Sequence, residues 1–371
     1  MADTEVLFKI DDLSDLEIAV LLSLIAREHC IVDTEPELMD DLLSELRLII
    51  ENVYGLTYSV LVCTPGTTMD DLKRAFFQRG GPRRELERAT ISSSTSMPAE
   101  STLSFDQRAH HGFSQSQWHL DQNDMPSVNV LIAKNFDIVP QNVQLTALDI
   151  LWSKQVPTTS GPHNLADPFI FIPLVPSNPR GLAHSFNRHL LDHIFSSYHH
   201  SAENGFPNVE ASSGWLSDDQ APSPIRPLLS RRPTGRSQAK SGLISQEDIN
   251  LLRSLSEKVN ISPEINSYIY SITVFLRMNR AVTGGVTPNS TTHIKQYARC
   301  LAPLQKVDYV FPALIEIAAR QVYRHRIFIG SPRTDRSLLY GSSLRAVEMA
   351  FQNLTPEIII DDVLEEVDAP V

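Results

Sequence analysis

Cysteine, basic charge and long apolar runs are all scarce in this 371-residue sequence. Its three cysteines lie far apart, which matches no disulfide framework or metal-binding spacing and is typical of a reducing compartment. With 32 basic against 44 acidic residues the net charge is −12, which argues against broad, charge-driven binding of nucleic acid or of an anionic membrane surface. No apolar run reaches the roughly 18 residues that a membrane span requires.

The first residues are acidic where a signal peptide would be basic, so we expect a soluble intracellular protein. The expected compartment is the cytoplasm. The nucleus is the alternative, because one Pro- and Ser-rich stretch contains a basic cluster that could serve as a nuclear-localisation signal. That cluster consists of Arg226, Arg231, Arg232, Arg236 and Lys240.

Hydrophobic residues make up 42 % of the chain, and their spacing separates ordered from flexible stretches. Residues 13–53 have the spacing of two helices. Strand-like runs followed by helical spacing come next, at residues 59–76, 128–156 and 167–195. Residues 245–329 have helical spacing throughout. This order predicts a parallel α/β core followed by a separate helical domain.

Two stretches rich in Ser, Arg, Pro and Gln interrupt this order and predict long flexible insertions. The predicted segments are N-terminal helices with a strand-loop-helix unit (1–78), a flexible insertion (79–127), the rest of the α/β core (128–197), a disordered linker (198–244), a helical domain (245–330) and a tail ending in a helix (331–371).

The strand-loop-helix unit SVLVCTPGTTMDDLKRAF (59–76) has the layout of a phosphate-binding loop. An apolar run leads into Pro65, Gly66 and Thr67, and a helical pattern follows. A loop that binds ATP ends in Gly-Lys-Ser/Thr, because the Lys neutralises phosphate charge and the hydroxyl binds Mg²⁺. Met69 and Asp70 stand at those two positions. The residues alone therefore leave two interpretations open: an ordinary turn, or a phosphate loop without its chemistry.

Several short motifs follow one another in the helical block. They are Tyr268-Ile269, Gly285-Val286-Thr287-Pro288, Tyr309-Val310-Phe311-Pro312 and His325-Arg326. In this order and spacing they resemble the lid domain of the MoxR and magnesium-chelatase I-subunit branch of the AAA+ ATPases.

Four fragments of the preceding core resemble the same family in the same order. They are VLVCTPGTTMDD, VQLTALDILWSKQV, PFIFIPLVPSNP and HLLDHIF. The resemblance implies a degenerate AAA+ parallel α/β core with a C-terminal all-helical lid domain and long flexible insertions. It also implies a vestigial nucleotide site at Pro65, Gly66, Thr67 and Asn178, the last in the position of the family's sensor-1 Asn.

The resemblance fails at the positions that carry the chemistry. Lys134-Asn135 replace the Asp-Glu pair that binds Mg²⁺ and activates water in the family. His193 replaces the trans-acting Arg, and Asn289 replaces the sensor-2 Arg. An arginine finger alone is worth on the order of a thousandfold in rate. We therefore predict no catalytic residues, no metal site and no cofactor.

These expectations combine into a non-catalytic pseudo-AAA+ protein that acts as an interaction or assembly subunit. Its expected partner is a protein, either an active AAA+ subunit or a second copy of the chain. The sequence shows no strong nucleic-acid signal, and no membrane is expected. The alternative is a magnesium-chelatase-type ATPase with an atypical active site, which would use ATP and Mg²⁺ to insert Mg²⁺ into a porphyrin.

Overall fold

The computed structural model describes residues 6, 9–77, 126–159, 161–178, 181–213 and 242–370. The strands are β1 (Cys30–Thr34), β2 (Tyr58–Val62), β3 (Val130–Lys134), β4 (Gln155–Thr158), β5 (Gly161–Asn164), β6 (Ile170–Pro176), β7 (Ser196–His200), β8 (Val282–Gly284) and β9 (Phe328–Ile329). The helices are α1 (Asp15–Ala26), α2 (Met39–Leu48), α3 (Met69–Ala75), α4 (Gln141–Ser153), α5 (Arg188–His193), α6 (Pro207–Ser213), α7 (Gln246–Lys258), α8 (Pro263–Met278), α9 (Pro288–Leu304), α10 (Pro312–Tyr323), α11 (Leu344–Ala350) and α12 (Pro356–Glu366).

Five parallel strands form the central sheet in the order β2-β3-β6-β1-β7. The inner strands β3 and β6 are almost wholly apolar, because helices cover both faces of a parallel sheet. One hydrophobic cluster fills the face under α1 and α2, and a second fills the face under α3, α4 and α5. The predicted parallel α/β core is therefore confirmed.

The inner strand β1 was wrongly assigned from the sequence, because its apolar residues continue the spacing of the preceding helix. Helix α1 ends at Ala26, and Arg27 turns the chain in a left-handed conformation (φ 57°). Cys30, Ile31 and Val32 then form a buried strand between β6 and β7. β-branched residues such as Ile31 and Val32 are favoured in strands. Only the hydrogen-bonded pairing with β6 and β7 shows that this run is a strand and not part of the helix.

Two further parts of the core were not predicted. Strand β7 continues to His200 and α6 follows it, so residues 198–213 are not the linker that the sequence suggested. The antiparallel pair β4–β5 lies between α4 and β6. The helix predicted over 182–195 is confined to Arg188–His193. Residues 78–125 and 214–241, where flexible segments were predicted, lie outside the described residues.

The helical block consists of α7 to α10 and agrees with the sequence prediction, apart from the short strands β8 and β9. The predicted terminal helix is α12, which packs against α8 and α10. One continuous hydrophobic cluster joins the block to the sheet and includes Leu21, Val32, Ile269 and Tyr323. Among the described residues, no helix has the length and apolar character needed to cross a membrane.

Candidate functional site

The strand order creates a crevice at the carboxyl ends of β1 and β6. From β1 the chain crosses to β2 at one edge of the sheet, whereas from β6 it crosses to β7 at the other edge. Ligands of open parallel sheets bind where neighbouring strands send their connections in opposite directions. The candidate site, called the switch crevice below, is therefore formed by residues 33–41 after β1, residues 177–178 after β6, and Lys134 at the end of β3.

The loop predicted as a degenerate phosphate loop lies outside this crevice. Pro65, Gly66 and Thr67 follow β2, an edge strand that is three strand spacings from β1, or roughly 14 Å. The loop is closed by its own contacts, since the Thr67 hydroxyl accepts a hydrogen bond from the Thr64 N–H at 2.8 Å. The sheet order therefore contradicts the assignment of this loop as a phosphate loop. A strand-loop-helix motif does not reveal which strand is central.

Asn178 does lie at the switch crevice, two residues beyond β6. The ends of β6 and β1 are joined here, because the Ser177 N–H donates to the Thr34 carbonyl oxygen at 2.7 Å. The role of Asn178 as a sensor-1 residue that binds nucleotide stays a prediction.

Lys134, which was predicted to replace a metal-binding carboxylate, lies at the end of β3. Its side chain is largely buried, and its ammonium group binds the carboxylate of Asp40 in the first turn of α2. Asn135 follows in a left-handed conformation (φ 59°) and donates its N–H to the Leu174 carbonyl oxygen at 2.8 Å. Lys134 and Asn135 therefore join β3 to α2 and β6.

The connection after β1 occupies the position that a phosphate loop would need. Residues 35–41 read EPELMDD, with four exposed carboxylates and no Lys, Arg or Gly. The partial positive charge at the start of α2 is offset by Asp40 and Asp41 in its first turn. The sequence interpretation missed this loop because it placed β1 inside a helix. The signal was the run Cys30-Ile31-Val32 followed by Pro36.

A buried charge network links the switch crevice to the helical block. Asp33 of β1 is fully buried and accepts two hydrogen bonds from the guanidinium of Arg324, just after α10. His199 Nδ1 lies 2.8 Å from Asp33 Oδ2, an oxygen that also accepts a hydrogen bond from Arg324. Burial alone would raise the pKa of Asp33, but the hydrogen bonds from Arg324 and His199 hold that pKa below its ordinary value.

Helix α12 completes this network and packs against Gly181, which follows β6. Arg324 Nε donates to Glu357 in the first turn of α12 at 2.5 Å. Gly181, with φ of 84°, lies directly under the same turn, since a Cβ atom there would come within 2.7 Å of Pro356 Cγ. The crevice is thus bounded by the core strands on one side and by α10 and α12 on the other.

His193 and Asn289, which were predicted to replace two arginines, lie near each other at the amino ends of the strands, opposite the switch crevice. The Asn289 amide donates to the Asp192 carbonyl oxygen at 2.7 Å, and the His193 ring lies 5.7 Å from that of His29, which precedes β1. Burial lowers the pKa of His193. Within the described ranges, no group of three or more His, Cys, Asp or Glu side chains could hold a metal ion.

Comparisons with known proteins agree with this architecture. Residues 275–340 match the family described as the AAA lid domain. The fold is similar to a crystal structure described as a "putative ATPase" from Cytophaga hutchinsonii, with a TM-score of 0.59 and 15 % sequence identity. The aligned region covers 100 % of this chain and 94 % of that chain. No curated protein sequence matches the chain.

Similarity at 15 % identity shows the fold alone. The chain therefore has an AAA+-type fold, with a parallel α/β core and an AAA lid within its helical C-terminal region.

Proposed function

We propose that this chain is a AAA+ protein of the MoxR and magnesium-chelatase branch that does not hydrolyse ATP and acts as an interaction or assembly subunit. Its partner is a protein, either an active AAA+ subunit or a second copy of this chain. The observation that carries the proposal is the acidic connection at residues 35–41, which stands where phosphates would have to bind.

Electrostatics in the switch crevice favour this proposal over ATP hydrolysis. A carboxylate about 6 Å from a phosphate charge costs roughly 0.7 kcal/mol in water and 2.8 kcal/mol at an effective dielectric constant of 20. Four carboxylates follow β1, one of them paired with Lys134, whereas a working phosphate loop presents backbone N–H groups and a Lys. Lys134 cannot replace that Lys without releasing Asp40.

The attachment of the helical block supports the same proposal. AAA+ chemistry depends on parts that move as nucleotide binds and is released, and such parts share few buried contacts with their surroundings. Here the block shares one continuous hydrophobic cluster with the sheet. Arg324 also spans from α10 to Asp33, a fully buried residue of β1. A block held in this way suits a rigid binding surface.

The test measures binding and turnover separately on the purified full chain. Thermal unfolding is followed with and without millimolar Mg-ATP, because a ligand at a hundred times its Kd adds about 2.7 kcal/mol to the stability of the folded state. Phosphate release is measured in parallel. We expect neither stabilisation nor turnover.

Two results would count against the proposal. Mg-ATP turnover that is abolished by Asn178→Ala would favour the magnesium-chelatase-type ATPase. Stabilisation by Mg-ATP without turnover would leave a nucleotide-binding subunit and would remove the electrostatic argument. Matched variants Glu35→Gln and Glu357→Gln each remove one carboxylate, at residues 35–41 and on α12 respectively, and show whether the acidic connection is the barrier to ATP.

A further inference from the structure

A groove of about 420 Å³ lies between the core and the β8–β9 strand pair, on the α4 and α5 side of the sheet. The core contributes the start of α4 and the residues around the start of α5, and the helical block contributes β8 and β9. Its lining includes Gln141, His184, Asn187, Arg188, His189 and Phe328. None of the residues of the switch crevice lines it.

The charge of this groove is opposite to that of the chain. No carboxylate lines it, although the net charge of the protein is −12. His184, Arg188 and His189 are all exposed at its mouth. Within the part of the chain that the structure describes, none of their side chains makes a hydrogen bond or an ion pair, so their N–H groups are available to a ligand.

Arg188 is held in place by an aromatic ring. Its guanidinium carbon lies 4.7 Å from the centre of the Phe328 ring, and Phe328 is itself buried in β9. The His184 ring meets the same ring edge-on at 5.9 Å. Stacking orders the guanidinium and leaves the N–H groups at its edge free to donate. A planar guanidinium matches two oxygens of a phosphate group at once.

The start of α4 adds to this anion preference without creating it. Gln141 is the first residue of α4, and the N-cap residue Pro140 offers no side-chain acceptor. The Val143 N–H donates to Asn142 Oδ1 and the Gln144 N–H donates to the Pro140 carbonyl oxygen, so the contribution rests on the N–H groups of Gln141 and Asn142. These groups carry the partial positive charge of the helix N-terminus.

We propose that the groove binds a small phosphate monoester, with Arg188 as the principal ligand of the phosphate group. The volume lies within the range of small-molecule sites, about 300 to 1,000 Å³, and is larger than a phosphate ion requires. The additional space next to Phe328 and His184 accommodates an organic group on the ester. The proposal is independent of whether the switch crevice binds ATP.

The test uses AMP as the phosphate monoester, with adenosine and inorganic phosphate as matched probes, in calorimetric titrations of the full chain. We expect AMP to bind, inorganic phosphate to compete with it, and adenosine not to bind. Arg188→Gln should weaken AMP binding by about tenfold or more, since it removes a charge-assisted contact. Arg188→Lys should weaken it less. Arg299→Gln, which changes an exposed arginine of α9 away from the groove, should leave it unchanged.

Three results would overturn the proposal. The first is that none of the probes binds at millimolar concentration. The second is that AMP binds equally well to the wild-type chain and to Arg188→Gln. The third is that adenosine binds as well as AMP.

If far-UV circular dichroism shows that Arg188→Gln is unfolded, the AMP affinities of Arg188→Lys and Arg299→Gln are compared instead, and equal affinities would overturn the proposal. AMP binding lost in Asn178→Ala but kept in Arg188→Gln would place the ligand in the switch crevice instead, and would argue against both this proposal and the proposed function.

Discussion

Replacing Arg324 by Gln leaves the buried carboxylate of Asp33 without its main partner. Asp33 is fully buried, and the Arg324 side chain is only 17 % exposed. Removing one member of a buried ion pair destabilises a protein by about 3 to 5 kcal/mol, because the remaining charge is desolvated without compensation. We expect a loss of that size in the free energy of unfolding measured by urea denaturation.

The same helix provides a matched control. Arg320, one turn earlier on α10, pairs with Asp361 at 2.8 Å, and both side chains are about half exposed. Exposed pairs contribute roughly 0 to 1 kcal/mol, so Arg320→Gln should cost less than about 1 kcal/mol. Equal losses for Arg324→Gln and Arg320→Gln would refute the reasoning, because burial would then have no effect on the cost.

The pH dependence gives an independent check on the same pair. Arg324 and His199 lower the pKa of Asp33 in the folded state, so their contribution is complete above the ordinary pKa of an Asp. It is lost as the pH falls through the lower, folded value. The deficit of Arg324→Gln should therefore be largest at neutral pH and should shrink in acid, where Asp33 becomes protonated. A deficit that stays constant down to the acid unfolding transition would indicate lost packing instead of lost charge pairing.

The remaining predictions concern backbone geometry and buried ionisable groups. Gly285 and Gly341 both have positive φ, but a Cβ at Gly285 would overlap a backbone carbonyl oxygen whereas one at Gly341 meets nothing within 4 Å. In urea denaturation, Gly341→Ala should lower the free energy of unfolding by about 1 to 2 kcal/mol, and Gly285→Ala should lower it clearly more. Equal losses would contradict the close packing of Gly285 against the Arg326 backbone. Burial lowers the pKa of His29 and of His293 from 6.5 to about 3, so stability should fall as the pH decreases from 6.5 towards 3, by up to about 1.4 kcal/mol per pH unit for each ring. Burial raises the pKa of Glu28 to about 7, so Glu28 should oppose this fall in stability between pH 4.5 and 7. In plots of the free energy of unfolding against pH, His293→Gln should therefore reduce the slope and Glu28→Gln should steepen it. Unchanged slopes would contradict the assignment of these shifts to the buried groups.

Local signals identified most of the elements correctly. Helices α8 and α9 each begin with a side-chain N-cap followed by Pro, at Ser262-Pro263 and Thr287-Pro288, and the structure forms both caps. Strand β6 is a short apolar run that is recognisable without tertiary information. Such features depend on neighbouring residues, so the sequence is enough to find them.

The site was harder to predict, because its location depends on contacts between distant residues. Pro65-Gly66 looked like a phosphate loop from its local pattern, but β2 lies at the edge of the sheet. The strand that adjoins the crevice was hidden in what looked like a helix. The partner of Asp33 is 291 residues further along the chain, and no local pattern points to it.

The sequence by itself determined that an α/β core precedes a helical domain, because these elements follow from hydrophobic spacing and end signals within a few residues. The prediction that the side chains needed to bind and cleave ATP are missing also came from the sequence, but it placed the phosphate loop after β2, an edge strand. Only the tertiary structure decided which strand lies beside the crevice, which loop faces it, and that Arg324 reaches a buried aspartate there. Strand order and buried ion pairs arise from long-range packing, which residues close in sequence do not specify.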